Sequence, residues 1–517
     1  MRVIILLAVI MRVILMPLPG NTSDVATFVR FADQILEFGP QSLYEPTDLG
    51  QVQGHFTYPP LFPMILAGSV WVERAILRLL WQPNESAFGA HSSQLDGLVV
   101  KAWAVAGDAL LAWFAWREVR QSRGRRSANV VVAATLWSPA VAYAGAYWGQ
   151  IDSMLAAVVV AAVSSMLNRR WWLVGIWVSF GMLLKPQMVV AVPIVALGTV
   201  ILGRLGGVVR AACASLGVGA ILTVPFWATG RLGLLASAYL HATGAYPTVT
   251  VNAYNIWMAL CAMPLGLTCG SDVELLVWGL TYRQVGLLCL GACVASVLAL
   301  LVRPFMILSE IGTEIPHRIR VENRARGAIF LGMSLVFLAF FMLPTQVHER
   351  YLLPAIVILT TLITLNTEYK LLYLILTITF VVNLMSVISI SSDIFENIVL
   401  LGFSPLHIAW INLIILIIMI FCIVEEVWAN AFEKKAQICT NYNNRWWISV
   451  TMCVGVVSIM SQVALNLMMY LPESISIWII IICFGSVLAR LSSWLIMLLD
   501  SIRLVSTGVG PSLSTEE

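Results

Sequence analysis

Apolar runs separated by short polar connections repeat along almost the whole chain. A transmembrane helix needs about 20 mainly apolar residues. The pattern predicts spans at 2–19, 95–116, 128–146, 151–168, 172–185, 187–203, 210–228, 283–302, 328–344, 351–365, 371–390, 400–423, 446–470 and 474–499. The expected fold is therefore an all-α polytopic membrane protein with about 13–14 transmembrane helices. Two polar intervals are long, 20–94 and 229–281. The first holds an amphipathic run through Phe28, Phe31, Ile35 and Leu36, and then the apolar segment 59–81. That segment carries Glu73, Arg74 and Arg78 among Trp71 and Trp81. Charges at helical spacing beside tryptophans predict a helix lying in the membrane interface.

Basic residues set the orientation. Arg117, Arg120, Arg123, Arg125 and Arg126 cluster after one span, Arg169 and Arg170 after another, and Arg303, Arg318, Arg320, Arg324 and Arg326 in a later connection. The positive-inside rule assigns these, with Lys434, Lys435 and Arg445, to the cytoplasm. Alternation then puts 20–94 and 229–281 outside and both termini inside, provided that 59–81 does not cross. The first loop is thus large, external and furnished with interfacial helices.

Composition agrees with that pattern. Of 517 residues, 60% are hydrophobic and 11% charged, against about a quarter charged in soluble domains. The net charge of +3 identifies no partner, and neither a P-loop nor a dinucleotide fingerprint is present; no nucleic acid is expected to bind. The N-terminus looks like a signal peptide, but Arg12 interrupts its apolar run and no small-residue cleavage site follows, which predicts a retained helix. The nine cysteines lack metal-ligand spacing; most sit in apolar runs, and Cys261 and Cys269 fall in the second external region, where they can pair. Near residue 366 the composition shifts from Ala, Gly, Val and Arg towards Ile, Asn and Ser. That shift suggests a functional module over 1–365 and a C-terminal helical bundle over 366–517.

Polar groups at the ends of apolar runs are the candidate chemistry, because an ionisable residue near hydrocarbon is costly. Asp24 is the first acid beyond the first span. Tyr58-Pro59-Pro60 closes the loop that follows. Trp148-Gly149-Gln150-Ile151-Asp152 joins two spans and reads either as an ordinary turn or as a set of hydroxyl acceptors beside an aromatic face. Lys185-Pro186-Gln187 breaks an apolar stretch; its lysine either snorkels to the interface or meets an anion. Asn252 and Asn255 lie in the second external region. His348, Glu349 and Arg350 stand together between two apolar runs, where Arg350 can grip a phosphate with two parallel bonds and His348 can donate to the same group.

In this order, the residues resemble the GT-C type integral-membrane glycosyltransferases that use polyprenyl-phosphate sugar donors, mannosyltransferase-like members especially, over roughly residues 1–365. The resemblance implies transfer of a hexose, mannose foremost, to an acceptor hydroxyl on the extracytoplasmic or lumenal face, with inversion. Asp24 would be the catalytic base. Tyr58, Trp148, Gln150, Asp152, Asn252 and Asn255 would bind substrate, while Lys185, His348 and Arg350 would hold the donor phosphate. The partners implied are a lipid-linked sugar donor and an acceptor that is a glycolipid, a lipid-linked glycan or a protein. No cofactor is assigned. The family's acidic pair has no clear counterpart, since Val25 and Ala26 follow Asp24, and a divalent metal stays open. Competing readings are a polytopic transporter or lipid flippase, and a non-catalytic subunit of a glycan-assembly complex.

Overall fold

The computed structural model describes residues 1–45, 58–80, 85–240, 244, 246–262, 269–310, 318–389 and 405–435. Of the described residues, about 82% are helical. Its helices, in order, are α1 (Arg2–Leu15), α2 (Thr22–Phe38), α3 (Leu61–Leu80), α4 (Glu85–Leu136), α5 (Pro139–Ala142), α6 (Asp152–Leu167), α7 (Trp171–Leu184), α8 (Val192–Leu222), α9 (Val224–Ala228), α10 (Leu232–Leu240), α11 (Ile256–Cys261), α12 (Tyr282–Glu310), α13 (Arg318–Met342), α14 (Leu353–Leu359), α15 (Thr367–Ser389) and α16 (Pro405–Lys435). A two-stranded hairpin, Leu275–Val277 with Leu280–Thr281, is the only sheet among the described residues.

Among the described residues, six helical stretches are long and apolar enough to cross a membrane: Leu95–Leu136, Val192–Leu222, Tyr282–Glu310, Ile319–Met342, Thr367–Val387 and Pro405–Val427. The shorter apolar helices α6 and α7 accompany them. This is an all-α, multi-pass membrane architecture. Every residue of α6 is buried, so α6 forms the centre against which α4, α7 and α14 pack. Val3, Leu6, Val13 and Ile14 of α1 are exposed instead, as suits a helix facing lipid.

The boundaries differ from the apolar pattern where backbone chemistry intervenes. Helix α4 runs through two predicted spans, interrupted at Gly124 (φ 83°), a backbone angle that glycine adopts without steric cost. The expected span 128–146 leaves α-helix at Leu136, restarts at Pro139 and ends in a π-turn, Tyr143–Trp148. The expected span 351–365 is the seven-residue α14 followed by turns, with Thr360 and Thr361 bonding back to Val357 and Ile358. Helix α3, which carries Glu73, Arg74 and Arg78, packs antiparallel to the first part of α4. Trp103 Nε1 donates to Ser69 Oγ, yet Arg74, five residues on, reaches back to Asp96. The predicted spans 446–470 and 474–499 and the start of 400–423 lie outside the described residues.

Two buried ionic groups tie the helices. Arg12 Nε donates to Asp108 Oδ2 at 2.8 Å and its Nη1 to the Leu136 carbonyl at 2.8 Å, anchoring α1 on α4. At the opposite end of the bundle from Asp24, Glu118 accepts from Ser164 Oγ at 2.6 Å and from Arg326 Nη1 at 3.0 Å; Arg326 also meets Asn168 and Glu322.

Candidate active site

Asp24 sits in the first turn of α2, whose Asn21 side chain caps the helix by accepting from the Asp24 amide at 3.0 Å. The corner before it is pinned by Lys101, whose Nζ donates to the carbonyls of Met16 and Leu18. Gly20, at φ 57°, passes so close to the Tyr147 carbonyl that a Cβ would stand 1.9 Å from its oxygen. The carboxylate that emerges is oriented through one oxygen. Oδ2 accepts from Trp148 Nε1 at 2.8 Å and Gln150 Nε2 at 2.6 Å, and Arg350 Nη1 lies 3.7 Å away. Oδ1 accepts no hydrogen bond from the described residues, and the side chain is 29% exposed. Gly149 (φ 93°) turns the chain between those two donors, with Val25 pressed against the place where a Cβ would be.

Asp152 opens α6, and Lys185 ends α7 in extended backbone (φ −150°, ψ 140°) forced by Pro186. The two meet at 2.7 Å, with side chains 1% and 2% exposed. Lys185 is therefore taken up by Asp152 rather than left free for an anion. Its Nζ also lies 5.8 Å from the centroid of the Tyr58 ring. Tyr58 is held through its own carbonyl, which accepts from Tyr44 Oη at 2.7 Å, and through edge contact with Phe28. Burial, followed by the nearby Asp152 charge, raises the Tyr58 phenol well above its usual pKa, so it stays a hydrogen-bond donor.

The third contribution is the segment 345–351. Asp272, fully buried, takes two bonds of 2.9 Å from Arg283 and further bonds from Thr345 Oγ1 (2.8 Å) and Gln346 Nε2 (2.6 Å). This clamp was not visible in the sequence, since its members are scattered over 74 positions. It fixes the turn that delivers His348, Glu349 and Arg350. Arg350 Nη1 meets Glu349 Oε1 at 3.1 Å. Burial opposes the arginine's charge, but Glu349 and Asp24 outweigh it and raise its pKa. Burial lifts the Glu349 pKa, an effect that Arg350 partly offsets. Burial, then Arg350 and Lys185, push His348 well below its ordinary pKa, so it is neutral near pH 7. Its ring packs edge-on against Tyr246 and Tyr351.

Five distant segments thus bring Asp24, Tyr58, Trp148, Gln150, Asp152, Lys185, His348 and Arg350 to one end of the bundle. Of the two asparagines, Asn252 lies beside them through backbone pairing with His348, and Asn255 serves as a helix cap. Asn255 is buried as the cap of α11, accepting from the amides of Trp257 and Met258. Asn252 is exposed at φ 61°, touching His348 through backbone pairing and giving its carbonyl to Asn383. Several cluster atoms are buried with no hydrogen-bond partner among the described residues: Tyr58 Oη, Gln150 Oε1, Asp152 Oδ2 and Arg350 Nε. Buried polar atoms are nearly always paired, so this concentration of donors and acceptors suits a polar ligand.

No protein-family model and no curated protein matches the chain. The cluster's own chemistry is therefore the ground for assigning a function. A divalent metal fits it poorly. Asp152 is committed to Lys185 and Glu349 to Arg350, and among the described residues no three His, Cys, Asp or Glu side chains are grouped to hold an ion.

Proposed function

We propose that the protein is a membrane glycosyltransferase of GT-C type that moves a hexose from a polyprenyl phosphate to an acceptor hydroxyl. The observation that carries this reading is the Asp24 carboxylate, with one oxygen held by Trp148, Gln150 and Arg350 and the other open. A general base needs a fixed orientation and one free oxygen within reach of the proton that it takes. In the transfer, the acceptor hydroxyl gives its proton to Asp24 Oδ1 while its oxygen bonds to the anomeric carbon. The bond from that carbon to the phosphate oxygen breaks on the opposite face, and the phosphate leaves with the electron pair, giving inversion. Arg350 offsets the charge that the phosphate gains, assisted by hydrogen bonds from neutral His348. Tyr58 Oη, Gln150 Oε1 and Asp152 Oδ2, unpaired in the protein, serve sugar hydroxyls. Asp152 and Glu349 are poorer bases because each already faces a cation at 2.7–3.1 Å.

The cluster lies outside the cytoplasm on this reading, supported by the disulfide between Cys261 and Cys269 beside Asp272, a bond that persists in oxidising compartments. A cysteine placed at Ser122, in the basic connection, should not react with an impermeant thiol reagent added outside intact cells; labelling there would reverse the orientation.

The decisive experiment incubates purified protein with a panel of polyprenyl-phosphate sugars and acceptor glycolipids. Release of polyprenyl phosphate matched by glycosylated acceptor is expected. Movement of the intact donor across a vesicle bilayer without sugar transfer would replace this reading with a flippase.

A further inference from the structure

The hairpin that leads into α12 turns through Trp278 and Gly279, at φ 49° and 77°, with Val277 paired to Leu280. A two-residue turn with both φ angles positive suits Asn, Asp or Gly at its first place. An indole there carries the steric penalty of left-handed backbone on an L residue. Trp278 is 93% exposed, so little packing within the protein offsets that penalty. Leu276 faces inward beside Trp257 and Tyr282, whereas its neighbours Leu275 and Val277 are 69% and 39% exposed. The free face of an antiparallel pair in water is polar. Here that face is leucine, valine and tryptophan, and no charged residue lies between Glu274 and Arg283. Those two flanking charges are engaged elsewhere: Glu274 Oε1 accepts from the Ser271 amide at 3.0 Å, and Arg283 holds Asp272.

We propose that this hairpin is a membrane anchor, with Leu275, Val277 and Trp278 seated at the boundary between lipid headgroups and acyl chains. Its place beside a span identifies the occupant. The hairpin runs directly into α12, which is long and apolar enough to cross a membrane. Outward apolar exposure continues there through Leu287 and Leu288. No charge occurs from Gln284 to Val302, so hydrocarbon begins within a turn of Tyr282. Trp278 stands four residues before Tyr282. A chain extends at most about 3.6 Å per residue, which keeps the Trp278 backbone within about 14 Å of that level. The polar layer flanking the hydrocarbon is itself about 5–8 Å deep. The bilayer is therefore the apolar phase at hand, and tryptophan is a side chain enriched at its boundary. Arg283 and Thr345 both bond to Asp272, which puts the anchor at the end of the bundle that holds the Asp24 cluster. The proposal does not depend on the transfer reaction.

The test puts an environment-sensitive fluorescent amino acid in place of Trp278 in the full-length protein, reconstituted in phosphatidylcholine vesicles. Two quenchers are compared: lipid carrying a nitroxide high on its acyl chain, and iodide present on both sides of the bilayer. Emission should be lost to the nitroxide lipid and largely kept in iodide. A second protein, with the same fluorophore in place of Leu275, should behave alike, and it keeps the result readable if the first fails to fold. Loss to iodide in place of the lipid would show a hairpin standing in water. Resistance to both quenchers at both positions would show a hairpin covered by protein. Either outcome overturns the anchor.

Discussion

The two ends of the bundle both bury ions, and they do so differently. At the basic end, Glu118, Ser164, Asn168, Glu322 and Arg326 satisfy one another; none of their side-chain atoms is left buried without a partner. At the other end, around Asp24, Asp152, Lys185 and Arg350, Tyr58 Oη, Gln150 Oε1, Asp152 Oδ2 and Arg350 Nε have no hydrogen-bond partner among the described residues. A closed network fixes helices. An open one stores unmet hydrogen bonds, each costing about 1–3 kcal/mol, which a protein tolerates where a ligand repays them. The two ends thus differ in satisfaction rather than in charge.

The largest effect expected on either side is at Asp24. Asp24→Asn keeps the shape but cannot take a proton, so single-turnover transfer should slow by about two to four orders of magnitude with donor binding intact. Wild-type turnover in that variant, with loss in Asp152→Asn or Glu349→Gln, would move the base elsewhere.

At the closed end the readout is stability. Arg326→Met strands Glu118 in an apolar setting and should cost about 3–5 kcal/mol, seen as a lower unfolding midpoint with unchanged specific activity of the folded fraction. Loss of activity without loss of stability would erase the distinction between the two ends.

Arg350→Lys comes next. Lysine cannot reproduce the planar grip, and donor affinity should weaken about tenfold; an equilibrium binding measurement matching wild type would remove Arg350 from the phosphate site.

The smallest effect is a pH dependence. His348 has its folded pKa depressed by burial and by Arg350, so below about pH 6.5 the unfolded chain takes up a proton that the folded one refuses. Stability should therefore fall as pH drops below that point, by at most about 1.4 kcal/mol per pH unit. Glu349, its pKa raised by burial, works in the opposite sense, gaining stability as pH falls through its folded pKa. Comparing wild type with His348→Gln, which shares Glu349, isolates the histidine: the variant should lose less stability on acidification, and parallel curves would argue against it.

Much of the open end was legible in the sequence because hydrocarbon makes a stray charge conspicuous. Asp24, Asp152, Lys185 and Arg350 stood out at the ends of apolar runs, and the structure gathers them. Partnership was not legible. Asp152 and Lys185 are 33 positions apart on different helices, so the lysine's ready-made counter-ion was invisible. The capping role of Asn255 was not legible either, because a helix of six residues gives too little periodic pattern to reveal its cap. The stretch 351–365 misled because apolar residues bury as well in turns as in a helix.

The loop at Asn252–Trp257 is held from far downstream. Asn383 donates to the Asn252 carbonyl at 2.7 Å and accepts from the Tyr254 amide at 3.1 Å, Ser386 meets Tyr254 Oη at 2.7 Å, and Asn412 donates to the Tyr254 carbonyl at 3.1 Å. Those anchors leave the ribosome more than a hundred residues after the loop. During synthesis the backbone beside His348 therefore waits, with its carbonyls unmet, until α15 and α16 have been inserted, and the pocket is completed late in the chain's production.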